Sequence, residues 1–149
     1  MHPVFPVCFV CLLLLLTSCL KPLSVQTQYV GRNNLASFQV GTPDPKLDHP
    51  DKGQRLLIEW SLPKIYADAD LEMVIRVRFK TRKEETETLK LKQLAGHYYH
   101  SVINERYLET GGISTYQIEI LANGQRIECW HHPLWVELIQ FSTSQLPLE

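Results

Sequence analysis

Tyr116-Gln117-Ile118-Glu119-Ile120-Leu121-Ala122-Asn123-Gly124-Gln125-Arg126-Ile127-Glu128-Cys129-Trp130-His131 is the stretch whose reading decides the fold. Asn-Gly between two alternating runs predicts a two-residue type I′ turn, because both central positions accept positive φ. That turn fixes a register in which Ala122 faces Gln125, Ile120 faces Ile127, Ile118 faces Cys129 and Tyr116 faces His131. The apolar partners then share one side. Alternation turns Cys129 and His131 inward, and Trp130 and His132 outward.

The same period of two extends outward from the hairpin. Leu56, Ile58, Trp60 and Leu62 share one face until Pro63 stops the pairing. Met73, Ile75, Val77 and Phe79 share a second face, opposite Arg76, Arg78 and Lys80, which read as a solvated side. In 84–93, Leu89 and Leu91 point inward and Lys90 and Lys92 outward. A tight turn at Arg82-Lys83 would misalign Leu89, so a longer loop is expected. Leu35 to Gly41 is expected as a first strand, Thr42 to Gly53 as a loop, and Asn104 to Thr110 as the one short helical turn. Pro133 interrupts the last strand, which resumes over Leu134 to Phe141. About six or seven strands separated by turns predict an all-β antiparallel sandwich.

Gln54 to Phe141 is similar to an immunoglobulin-like or fibronectin type III domain in length and strand order. Trp60 on an early core strand, the Arg-rich strand at 73–80 and Tyr116 before a terminal hairpin carry the likeness. The disulfide of true immunoglobulin domains has no counterpart.

At the other extreme of the chain, Val4 to Leu16 is apolar apart from Pro6 and ends in Leu16-Thr17-Ser18-Cys19. The run fits the ~7–15 residues of a signal h-region and falls short of a spanning helix. Its ending resembles the lipobox of bacterial lipoproteins. The resemblance implies a signal peptide over 1–18, a diacylglycerol on the Cys19 thiol, and acylation of the new amino group. No Lys or Arg precedes Cys19, which departs from the usual positive n-region, and a plain secretory signal is the alternative. Leu20 stands where enteric lipoproteins retained in the inner membrane carry Asp, so the resemblance implies an outer-membrane address. Residues 19–34 are expected to form a lipidated tether, and 35–149 the sandwich domain, best defined over 54–141. Leu134 to Leu138 and Gly41 to Pro45 also resemble segments of lipoproteins of obligate intracellular bacteria, a likeness that implies no activity.

Of the 4 cysteines, Cys8 and Cys11 would leave with the signal and Cys19 would be acylated. Cys129 then has no partner, so the core rather than a disulfide must hold the domain. The 15 Lys and Arg against 16 Asp and Glu leave a formal charge of -1, which argues against a nucleic-acid partner.

His97, His100, Cys129 and His131 are the weak candidates for a soft-metal site. A small buried thiol and a core histidine explain Cys129 and His131 more simply. No Gly-x-Ser-x-Gly, Walker loop or His-Glu-x-x-His occurs, so no catalytic residue is nominated and no cofactor is expected. Trp130, His132 and Trp135 are the candidate protein-binding surface, since exposed Trp offers a large area and a hydrogen-bond donor. The sequence is therefore read as a lipid-anchored, non-enzymatic binding or scaffolding module. A metal or small-ligand carrier is the alternative, and an enzyme comes after it.

Overall fold

The computed structural model describes residues 21–137. Seven strands form two antiparallel sheets, an all-β sandwich. They are β1 (Leu23–Val30), β2 (Gly53–Ser61), β3 (Leu71–Phe79), β4 (Glu84–Lys90), β5 (Ala95–Ile103), β6 (Ile113–Ala122) and β7 (Gln125–His131). One sheet has the order β1-β2-β5 and the other β4-β3-β6-β7. Two short helices, α1 (Ala36–Val40) and α2 (Asn104–Thr110), lie in the connections.

The alternating residues build the core as read. Leu56, Ile58, Met73, Ile75, Val77, Val102, Ile118 and Ile120 are fully buried between the sheets. Met73 faces Leu89 and Arg78 faces Glu84, which requires the longer β3–β4 loop; Arg82 closes it in the left-handed region at φ 68.

The strand expected over Leu134 to Phe141 does not form over 134–137, where the Arg78 contacts hold the chain, and 138–141 lie outside the described residues. Three other local expectations fail, each for a physical reason. The segment read as a tether contains β1, which pairs with β2 from Leu23 against Trp60 to Val30 against Gly53. Of its apolar residues only Leu23 and Val25 are buried; most of the strand's side chains are polar or exposed, and its ladder to β2 holds it in place. Leu35 to Gly41, read as a strand, contains α1 instead. Gly41 ends that helix in the left-handed region at φ 67 with its N–H on the Ser37 carbonyl, a cap that stops a helix and has no role in a ladder. Finally, the β6–β7 hairpin keeps the Asn-Gly turn but not the regular register.

Ala122 faces Gln125 and Leu121 faces Arg126, after which the pairing slips. Ile127 and Glu128 together oppose Ile120, so Glu119 faces Cys129, Ile118 faces Trp130 and Gln117 faces His131. A strict alternation cannot turn both Ile127 and Trp130 inward, since they are three residues apart. The bulge allows both to pack on the core and sends the smaller Cys129 and the polar His131 outward. Burial of the large indole favours this arrangement.

The topology also assigns the loops to two ends. Ser61 N–H bonds the Pro22 carbonyl, Leu62 N–H the Leu94 carbonyl, Leu91 N–H the Leu71 carbonyl and Asn123 N–H the Asp70 carbonyl. The start of β1, the β2–β3 and β4–β5 loops and the Asn123-Gly124 turn therefore share one end. The β1–β2 segment, the β3–β4 loop, α2 and the residues after β7 share the other.

Candidate functional site

Cys19, the lipidation candidate, lies outside the described residues. Of the three aromatic candidates, Trp130 is half-buried against the core, with the Lys21 ammonium 5.1 Å from its ring centre. His132 packs edge-on to Tyr116 at 5.4 Å, and its Nδ1 accepts the Leu134 N–H at 3.2 Å. Trp135 is half-buried beneath the Arg78 guanidinium, 3.9 Å above its ring. Arg78 also donates to the Val136 carbonyl and pairs with Glu84 at 2.7 Å. These contacts hold the segment after β7 against the molecule. The three residues are thus engaged within the chain and do not form one open patch, contrary to the regular register.

The candidate metal ligands are dispersed. His97 lies exposed on the outer face of the three-stranded sheet, His100 lies between the sheets, and Cys129 and His131 lie on the outer face of the four-stranded sheet. Among the described residues, no group of three or more His, Cys, Asp or Glu side chains is placed to hold a metal ion.

Sequence reading missed a polar cluster where β4 and β5 meet across the sandwich. Glu87 points inward from β4; its Oε1 accepts the Tyr98 hydroxyl at 2.7 Å and its Oε2 lies 2.8 Å from His100 Nδ1. Burial, with the hydrogen bond and charge of Glu87 behind it, pushes the Tyr98 hydroxyl up to about 12. For Glu87, burial acts to raise the pKa, but the hydrogen bonds from Tyr98 and His100 together with the charges of His100 and Arg106 outweigh it, and the net shift is downward. A carboxylate on an imidazole is half of a general-base arrangement. Here, however, the His100 ring is 4% exposed and its Nε2 is buried without a protein partner, so a substrate has no path to it. The cluster joins two edge strands. Its signal was an acidic residue in phase with Leu89 and Leu91.

A second network covers the outer face of the four-stranded sheet. Arg76 Nη1 bonds Gln117 Oε1 at 2.8 Å and Glu119 Oε2 at 3.0 Å, and Arg126 Nη1 bonds Glu119 Oε1 at 2.9 Å. The hydrogen bond and charge of Glu119 hold Arg126 still more firmly protonated. Gln117 and Glu119 are buried although they point away from the core.

The outer face of the three-stranded sheet is different. Leu57 on β2 faces Tyr99 on β5, with Glu59 opposite His97 and Arg55 opposite Ser101. Tyr99 is 43% exposed, His97 meets it edge-on at 5.6 Å, and the Arg55 guanidinium lies 4.9 Å from its ring centre. Arg55 bonds only a neutral amide in this group, donating from Nε to Gln28 Oε1 at 2.8 Å. An apolar pair, an accessible aromatic and an incompletely neutralised cation side by side form a surface suited to protein contact. No protein-family model, curated protein or solved structure matches the chain.

Proposed function

We propose that the chain is a lipid-anchored, non-enzymatic β-sandwich of a bacterial envelope that binds a protein partner through the outer face of its three-stranded sheet. The observation that carries the binding part is the exposed Tyr99, flanked by Leu57, His97 and Arg55. The partner's complementary surface offers an apolar side chain over Leu57 and Tyr99 and a carboxylate toward Arg55. The ending Leu16-Thr17-Ser18-Cys19 supports the anchor, and Leu20 supports an outer-membrane address. The burial of His100 supports a non-enzymatic reading. β4 pairs with β3 rather than with β5, which favours the fibronectin type III side of the family likeness over the constant immunoglobulin arrangement.

Two measurements test this reading. Cys19→Ala is expected to release the chain from membranes, because the acyl chains supply nearly all the anchoring energy. A photo-crosslinking residue at position 99 of the intact protein in its membrane is expected to capture one discrete species that Arg55→Glu abolishes. Absence of any adduct at 99, or the same species from a probe at exposed position 108, contradicts the assigned face.

A further inference from the structure

We propose that the end of the sandwich bearing the start of β1 rests directly on the lipid surface, with Ile65 as its apolar contact. The proposal rests on acylation of Cys19 and adds an orientation to it. β1 begins at Leu23, four residues after Cys19, and Pro22 is already bonded to Ser61. Four residues span at most roughly 14 Å at ~3.3–3.6 Å each. The headgroup layer itself is roughly 5–8 Å deep, the difference between core and total bilayer thickness shared over two sides. Acyl chains seated in the hydrocarbon would therefore leave about one side chain's length between the lipid and this end of the domain.

The residues at that end suit the position. In the β2–β3 loop, a 3-10 turn over Lys64–Tyr66 follows Pro63, and Ile65 within it is 81% exposed. The turn is fixed by hydrogen bonds from Tyr66 N–H to the Pro63 carbonyl and from Ala67 N–H to the Lys64 carbonyl. Leu62 before the turn is buried, and Tyr66 and Ala69 after Ile65 pack against the core, so Ile65 is held outward rather than free to fold in. Lys64 and Lys92 lie at the same end, the Lys21 ammonium is turned onto Trp130, and a cleft of about 350 Å³ there is lined by Trp60, Leu89, Lys90, Leu91, Lys92 and Tyr98. Asp68 and Asp70 are also present and Lys90 bonds Asp70 at 3.5 Å, so charge alone does not favour an anionic surface. The apolar tip with a neighbouring tyrosine and lysine is the feature that matches a lipid interface.

The test uses the full-length protein in vesicles of phosphatidylethanolamine and phosphatidylglycerol. An environment-sensitive dye is attached at Ile65→Cys in a Cys129→Ser background of the mature lipoprotein, in which the signal cysteines are removed, acylation blocks Cys19, and Cys129 is the exposed thiol among the described residues. Leu108→Cys in the same background is the control: it is equally exposed at 81% but sits on α2 at the opposite end. The expected result is a blue shift at 65 and loss of its emission when nitroxide-labelled lipid is included, with no response at 108. A silent probe at 65, or equal responses at both sites, overturns the proposal. Intact mass of the same samples separates the two readings. Acyl mass with a silent 65 removes only the lipid contact. Absence of acyl mass removes the anchor and overturns the proposal together with it.

Discussion

On the four-stranded sheet, the outward-facing Gln117 and Glu119 are 5% and 7% exposed, closed over by Arg76 and Arg126. The outward-facing Tyr99 on the three-stranded sheet is 43% exposed, although it is the larger and more apolar group. The two faces differ in whether their polar side chains find each other. Glu119 has two guanidinium partners, and Arg78 beside them holds Trp135 and the residues after β7. Among the described residues, Arg55 has an amide and an aromatic ring but no carboxylate bonded to it. A sheet face that satisfies its own charges is closed to partners, whereas one that leaves a cation and a ring side by side is available to them.

Substitutions at the hairpin and on the two faces break or sharpen this contrast. The largest effect is expected at Trp130, which supports the four-stranded sheet from its inner side. Trp130→Ala is expected to lower unfolding stability by about 2–4 kcal/mol, measured by urea denaturation. A loss close to zero would restore the regular register and turn Trp130 outward. Next comes Glu119→Ala, which takes the carboxylate from Arg76 and Arg126 over a nearly buried site and leaves Arg76 only its bond to Gln117. Its expected cost is about 1–2 kcal/mol, between the values for exposed and buried pairs. Glu59→Ala on the open face is the matched control and is expected to stay within ~0.5 kcal/mol; equal losses would erase the contrast.

Tyr98→Phe probes the seam that joins the sheets and is expected to cost about 1 kcal/mol at neutral pH. The raised Tyr98 hydroxyl contributes stability that is complete below the ordinary tyrosine pKa and is lost as pH rises toward about 12. The phenylalanine variant has no such proton, so its stability should fall less steeply between pH ~10 and 12. Glu87 acts at the opposite extreme: its lowered pKa gives stability above the ordinary carboxylate range that is lost as pH falls through the lowered value. Parallel alkaline profiles for the two proteins would refute the role assigned to Tyr98. Apart from the Glu59 control, the smallest effect is expected at Tyr99→Ala, below about 1 kcal/mol, since only an exposed cation–π contact and edge packing are lost. Loss of the partner crosslink without loss of stability is the combination that identifies a binding residue.

Strands with a full set of alternating apolar residues were legible from sequence. Every inward position of Leu71–Phe79 is apolar, and the structure buries all of them, although the outward Val74 is apolar too. β1 was hidden because two buried apolar residues suffice when the backbone is already paired on a neighbouring strand. α1 was misread because Ala36, Phe38 and Val40 alternate like a strand while Gly41 caps a helix. The hairpin turn was legible in Asn123-Gly124, but the bulge was not, since it follows from competition between Trp130 and Cys129 for the core rather than from any turn residue. The candidate surface moved for the same reason. Trp130 was given an outward position by alternation, and one extra residue at Ile127 reverses it.

Shortening the expected tether to the few residues before Leu23 makes the chemistry at Cys19 decisive for the whole account. Intact-mass analysis of the protein extracted from its native membrane tests that chemistry directly. The account predicts a mature chain beginning at Cys19 and carrying the added mass of its acyl chains. A chain that begins after Cys19, or one that begins there without acyl mass, contradicts it.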